Sequence, residues 1–207
     1  MNPPEPTVFI VDDDPSVREA LSSLIRSAGL RVTAFASGQE FLQEQRAAYP
    51  ACLILDIGLP EIGGFDLQQL LSKAGQNIPV IFITGHGDIP MSVRAMKAGA
   101  IDFLTKPFRD DELLATIRHA LLLHQGAQAE HEYASEIRRR FETLTRRERE
   151  VMLHVVKGLL NKQIAATLGI AEITTKVHRR RVMQKMSAAS LAELVRMGDR
   201  LTPRTYT

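Results

Sequence analysis

The sequence predicts an α/β chain in which a doubly wound, five-stranded parallel sheet is followed by an all-α domain. Three observations carry this expectation. Short apolar or β-branched runs alternate with longer helical patterns over about the first 125 residues. Beyond Leu144 every periodic segment has helical spacing. Finally, residues 1–125 hold 10 Lys/Arg against 15 Asp/Glu, a net of −5, while residues 126–207 hold 16 against 9, a net of +7.

The strands are expected at residues 7–11, 31–35, 52–56, 79–84 and 101–105, each a nearly continuous apolar run suited to burial on both faces. Helices are expected at 15–28, where Pro15 suits a first turn and Gly29 a stop, and at 39–46, 65–74, 91–98 and 110–123. Right-handed crossovers favour the strand order 2-1-3-4-5. Residues 126–142 are rich in Gln, Ala, Glu and Arg and predict a helical linker, either a continuation of the fifth helix or one broken at Gly126. Thr145 with Glu148 three residues on is a capping-box pattern opening a helix over 145–156. Further helices are expected at 161–168, stopped by Gly169, at 173–186 and at 190–197.

Composition narrows the classes of function. At 207 residues the chain is comfortable for two domains, and its 44% hydrophobic content is ordinary for a globular protein with a real core. No run of about 18 apolar residues occurs, so no membrane partner is expected. The start Met1-Asn2-Pro3-Pro4-Glu5 lacks the pattern of a secretory signal, and a cytoplasmic location is expected. Cys52, the one cysteine, excludes an internal disulfide and reads as a buried, inert thiol within Cys52-Leu53-Ile54-Leu55. A basic half suits nucleic acid, although an ordinary solvated basic surface fits the charge count equally well.

In open α/β sheets ligands sit outside the carboxyl ends of the strands. Asp12, Asp13 and Asp14 follow the first strand, Asp56 ends the third, Thr84 ends the fourth and Lys106 follows the fifth. Taken singly, each has a plain reading: Asp-Asp-Asp before Pro15 as a helix cap, Thr84-Gly85 as a strand end, Lys106-Pro107 as a turn. Together they make one acidic pocket with a lysine. Clustered carboxylates need a cation, and hard oxygen donors that must also take phosphate suit Mg²⁺. A carboxylate can act as nucleophile toward phosphorus, with Lys106 offsetting the charge in transfer.

In the basic half, residues 161–168 and 173–186 with a Gly-containing turn fit a helix-turn-helix whose second helix lies in the major groove. Along it Lys176, Arg179, Arg180 and Arg181 supply charge, while Val182 and Met186 face the core. A solvated basic helix is the rival reading of that segment alone.

Two resemblances follow from these residues. Val11-Asp12-Asp13-Asp14, Leu55-Asp56-Ile57-Gly58-Leu59-Pro60, Ile83-Thr84-Gly85-His86-Gly87-Asp88 and Phe103-Leu104-Thr105-Lys106-Pro107-Phe108 resemble the flavodoxin-like receiver domain of two-component response regulators, over residues 5–125. The resemblance implies Asp56 as phosphoacceptor for a sensor histidine kinase. It implies Asp13, Asp56 and the Gly58 carbonyl as Mg²⁺ ligands, with Asp12 assisting through water. Thr84 and Phe103 would form a switch pair, and Lys106 would hold the phosphoryl group ahead of a cis Pro107. The chain departs from the family at Gly58, where relatives often carry Arg or Met. Leu144-Thr145-Arg146-Arg147-Glu148-Arg149-Glu150-Val151, Asn161-Lys162-Gln163-Ile164-Ala165 and Ile173-Thr174-Thr175-Lys176-Val177-His178 resemble the LuxR-type helix-turn-helix domain of the NarL/FixJ family, over residues 143–207.

That likeness implies Lys176, Val177 and Arg180 facing bases of a double-stranded DNA operator. Thr174, Thr175, His178, Arg179 and Lys185 would contact phosphates, with Thr175 standing where Val is more usual. His86-Gly87-Asp88-Ile89-Pro90-Met91 and Met96-Lys97-Ala98-Gly99-Ala100 are similar to the FixJ subgroup with its StyR- and TodT-like regulators. The implied function is transcription control. Phosphorylation would produce a homodimer through a surface bearing Val93 and Lys97, and RNA polymerase is a further partner the resemblance allows. The implied chemistry is confined to the domain's own phosphotransfer and autodephosphorylation. A Mg²⁺-dependent hydrolase and a phosphorylation-independent DNA binder are the competing functions.

Overall fold

The computed structural model describes residues 5–44, 50–85 and 88–201. The end of the expected second helix (45–46), His86 and Gly87, and 202–207 of the expected last domain lie outside the described residues. The chain divides into two compact units, Met1–Gln128 and Ala129–Thr207.

In the first unit, β1 (Thr7–Val11), β2 (Arg31–Phe35), β3 (Ala51–Asp56), β4 (Val80–Thr84) and β5 (Asp102–Thr105) form one parallel sheet of order β2-β1-β3-β4-β5. The helices between them are α1 (Pro15–Ser27), α2 (Gly38–Gln43), α3 (Gly64–Lys73) and α4 (Ile89–Lys97). Every residue of β3 and β4 is buried, which explains why their sequences run apolar without alternation. Successive side chains still point to opposite faces. Phe9, Val11, Leu53, Leu55 and Phe82 pack on one side with Leu67 and Leu71, while Val8, Ile10, Ile54, Ile81 and Ile83 pack on the other with Leu113 and Ile117. Cys52 belongs to the second cluster, and burial pushes its thiol up to about 12.

The fifth helix does not end near Leu123. α5 (Asp110–Glu142) is one continuous helix, and Gly126 does not interrupt it. A single mid-helix glycine costs about 1 kcal/mol relative to alanine, too little to stop a segment otherwise rich in Ala, Leu, Glu and Arg. His124 on this helix accepts a hydrogen bond at Nδ1 from the Ala51 N–H at 2.8 Å, fixing α5 to the start of β3. Burial lowers the His124 pKa and favours the neutral acceptor form.

The second unit contains α6 (Arg146–Val156), α7 (Asn161–Leu168), α8 (Glu172–Met186) and α9 (Leu191–Leu201). Its core gathers Ile137 from α5, Val151, Met152 and Val155 from α6, Ile164 from α7, Val182 and Met186 from α8, and Leu194 and Met197 from α9. The capping box forms as expected: Thr145 Oγ1 accepts from the Glu148 N–H and Glu148 Oε2 from the Thr145 N–H. Gly169 ends α7 in the left-handed conformation, φ 63°.

One glycine governs how α3 meets the sheet. A Cβ at Gly64 would lie 2.5 Å from the Asp56 carbonyl oxygen and 3.0 Å from Ile57 Cα, so the helix starts hard against the end of β3. Gly64→Ala is expected to destabilise the first unit by about 1–3 kcal/mol, as overpacking against backbone does, and urea denaturation measures the loss.

Candidate functional site

The C-terminal strand ends bring Asp12, Asp56, Thr84 and Lys106 to one edge of the sheet. β1 and β3 are neighbours in register Val11↔Leu55, so the next residues, Asp12 and Asp56, lie close to each other. Lys106 Nζ donates to Asp12 Oδ2 at 2.7 Å and to Asp56 Oδ1 at 2.9 Å. The second Asp56 oxygen accepts from the Gly58 N–H at 2.7 Å, and Asp12 Oδ1 accepts from the Asp14 N–H at 2.9 Å. Arg18 Nη1 donates to the Asp12 carbonyl at 2.7 Å, tying α1 back to the turn that carries the carboxylate. The Lys106–Pro107 peptide is cis, and the Lys106 N–H bonds the Thr84 carbonyl at 2.7 Å.

Burial decides the electrostatics. Asp12 is 1% exposed and Asp56 8%. Burial pushes the Asp12 carboxyl above its ordinary range, and the ammonium of Lys106 only partly opposes it. Burial alone would lower the Lys106 pKa, but its bonds to Asp12 and Asp56 outweigh this and hold it above the usual lysine value. Two carboxylates thus share one ammonium, leaving a net negative pocket.

That donor set fits a hard divalent cation. Mg²⁺ needs only one or two carboxylates alongside water and phosphate oxygens, and two carboxylates sharing the single ammonium of Lys106 leave charge for a second cation to offset. Asp13 is exposed and stands outside the Lys106 cluster. Among the described residues no three acidic, His or Cys side chains converge as a metal-ligating group. Gly58 is exposed, and a Cβ there would come within 3.2 Å of Asp56 Oδ2, so a larger residue would stand directly beside the Asp56 carboxylate. Thr84 is buried. Phe103 is half-buried against the cluster containing Phe82 and Ala95. Val93 and Lys97 are exposed on α4 with Ile89 and Met96.

In the second unit, α7 and α8 form the expected helix-turn-helix. Lys176, Val177 and Arg180 are exposed on α8, and Thr174 and His178 are half-buried. Arg179 is half-buried, its Nη1 bonded to Asn161 Oδ1 at 3.1 Å, so α7 sets the direction of this guanidinium. One expected phosphate contact needs correction. Thr175 is fully buried, with Oγ1 bonded to the Ala171 carbonyl, because it shares the inward helical face of Val182 and Met186. Lys185 is half-buried: its Nζ lies 2.6 Å from Glu148 Oε2 and 3.1 Å from the Thr143 carbonyl. Sequence reasoning found Glu148 as a cap but not as a buried ion-pair partner. It also passed over Arg18, Asn161 and Ile173. Only the periodicity of Thr175, Val182 and Met186 was there to be read.

The fold and the pocket define a doubly wound α/β domain with an acidic, lysine-bridged pocket, joined to a helix-turn-helix. Residues 8–118 match the family described as response regulator receiver domain, and residues 142–198 match bacterial regulatory proteins, luxR family. The response regulator TmoT of Ectopseudomonas mendocina is 50% identical across 97% of this chain and 91% of its own. TodT of Pseudomonas putida is 50% identical across 94% of this chain and 86% of its own. The solved structure of the response regulator StyR superposes with a TM-score of 0.86 at 48% identity, covering 94% of this chain and 98% of that one. The chain belongs to the two-component response regulators that carry a receiver and a LuxR-type DNA-binding domain. Its family makes it a regulator of transcription rather than a classical enzyme. Among the described residues no helix is long and apolar enough to cross a membrane.

Glu148 offers a test of the helical unit. Burial would raise its carboxyl, but the Lys185 ammonium and the Thr145 bonds outweigh it and hold the pKa below the usual 4.5. Its contribution to stability is therefore full above pH 4.5 and is lost as pH falls through the lower folded value. Lys185→Met is expected to lower the urea midpoint at neutral pH, with the gap from wild type narrowing at acid pH as Glu148 protonates. An equal gap at both would show that the pair is not responsible.

Proposed function

We propose that Asp56 accepts a phosphoryl group from a sensor histidine kinase, and that phosphorylation pairs two chains on a DNA operator. The observation that carries this reading is Lys106 Nζ bridging Asp12 and Asp56 at 2.7 and 2.9 Å, a nucleophilic carboxylate beside a fixed cation. An Asp56 oxygen attacks phosphorus, the P–O bond forms, the P–N bond to the kinase histidine breaks, and the imidazole leaves. Lys106 then shifts its charge toward the phosphoryl oxygens. Mg²⁺, held by Asp13, Asp56 and the Gly58 carbonyl with Asp12 through water, would supply further positive charge there. In the same pocket the acyl phosphate is slowly hydrolysed.

Thr84 turns its hydroxyl to the phosphoryl group and Phe103 follows inward, a shift between two populated states. The remodelled face of α4, with Val93 and Lys97, pairs two receivers. Residues 5–125 carry this switching role, 143–207 the DNA-binding role, and 126–142 the helix between. Two α8 helices then occupy half-sites about one helical turn apart. Lys176, Val177 and Arg180 face bases, while Thr174, His178, Arg179 and Lys185 contact phosphates. Each module has its own support: a polyanion suits the +7 half, and the acidic pocket suits the phosphoryl group.

Sedimentation with acetyl phosphate and Mg²⁺ tests the switch. Wild type is expected to move from monomer to dimer and Asp56→Asn to stay monomeric. Dimerisation of the variant on adding the donor would remove Asp56 from that role. For DNA, Lys176→Ala is expected to relax base preference at one position by about 1–3 kcal/mol. Arg179→Ala should instead weaken all sequences alike and reduce the slope of log affinity against log salt by about one. Identical effects of the two would refute the division between base and phosphate contacts.

A further inference from the structure

We propose that Ile173 is a sequence-reading residue, forming with Val177 an apolar stripe on α8 that packs against thymine 5-methyl groups in the major groove. The proposal rests on α8 being the helix that enters the groove, and it adds a residue and a chemistry to that reading.

Ile173 is 68% exposed and Val177 44%. They stand at positions i and i+4 of one helix, with Lys176 at i+3 and Arg180 at i+7, so all four share one face. The opposite face carries Thr175, Val182 and Met186, all buried. The unit's own core is therefore on the far side of the helix from Ile173. Ile173 is therefore open to a partner from outside, and with Val177 beside it the apolar surface is a stripe rather than a single residue. Lys176, its Nζ 3.3 Å from Glu172 Oε1, and Arg180 lie exposed along one side of the stripe, and within the basic half they favour a polyanion as that partner. Of the groups on the major-groove edges of base pairs, the thymine 5-methyl is the apolar one, and branched or small apolar side chains read it by contact. Ile173 lies in the first turn of α8, the part of a recognition helix that approaches base edges. Residues i and i+4 are about 6 Å apart on a helix. With a base-pair rise of about 3.4 Å, Ile173 and Val177 address thymines about two steps apart.

The full-length chain, treated with acetyl phosphate and Mg²⁺, is used to select duplexes from a randomised DNA pool. Each thymine of the selected duplex is then replaced in turn by deoxyuridine, which removes only the methyl group, and Kd is measured by fluorescence anisotropy. Wild type is expected to bind about 4-fold more weakly at each of two positions, the effect of one buried methyl apiece. One of those losses should vanish in Ile173→Ala and another in Val177→Ala, with thermal stability unchanged because both side chains are exposed. If Ile173→Ala keeps every deoxyuridine sensitivity of wild type, the proposal is overturned while the placement of α8 stands. If Lys176→Ala also leaves base preference unchanged, or wild type enriches no sequence, the placement of α8 fails and the proposal with it. A change in oligomeric state on Ile173→Ala, without change in thymine sensitivity, would make the stripe a protein-docking surface and overturn it as well.

Discussion

The bond from Lys106 Nζ to two buried carboxylates is the interaction on which the first unit is organised. It joins the ends of three strands that are not consecutive in the chain: Asp12 after β1, Asp56 on β3 and Lys106 after β5. Buried like charges this close repel unless neutralised, and one ammonium cannot neutralise two carboxylates. The pocket is thus held together and left electrostatically unfinished. Under the proposed function, that residual negative charge is what a cation and a phosphoryl group would change, at the point where β1, β3 and β5 are tied.

The neighbouring features serve that point. Arg18 fixes the Asp12 carbonyl, so the carboxylate cannot swing freely toward solvent. Gly64 lets α3 begin against the Asp56 backbone. The second unit is arranged on similar logic around a different pair. Glu148 caps its own helix and receives Lys185 from the far end of α8, so one buried carboxylate sets both the start of α6 and the seating of α8. Arg179, oriented by Asn161, adds a second tie between α7 and α8. Together these bonds orient α8 with its outer face free.

Much of this was legible because the signals are local. Apolar runs located all five strands, and topological rules gave their order, since right-handed crossovers leave few ways to stack alternating strands and helices. The strand ends then placed Asp12, Asp56, Thr84 and Lys106 at one edge without any knowledge of distances. What escaped was long-range or steric. Lys185 and Glu148 are far apart in sequence, and nothing at either position announces the pairing. The requirement for Gly64 exists only where a helix start meets the Asp56 carbonyl. Thr175 was readable in principle, since a helical period places it with Val182 and Met186, but the family likeness placed it among the phosphate contacts. The continuation of α5 past Gly126 shows a weak local breaker overruled by the helix-forming residues around it.

Cys52 lies inside β3, walled in on the face packed by Val8, Ile54 and Leu113, its thiol kept protonated. As the sole cysteine of the chain, it leaves the protein with no reactive sulfur at neutral pH. A cysteine introduced on the outer face of α4 or α8 would consequently be the single point of attachment for a fluorophore or spin label. Distances reported from such probes would refer to one known atom, without removing any native residue first.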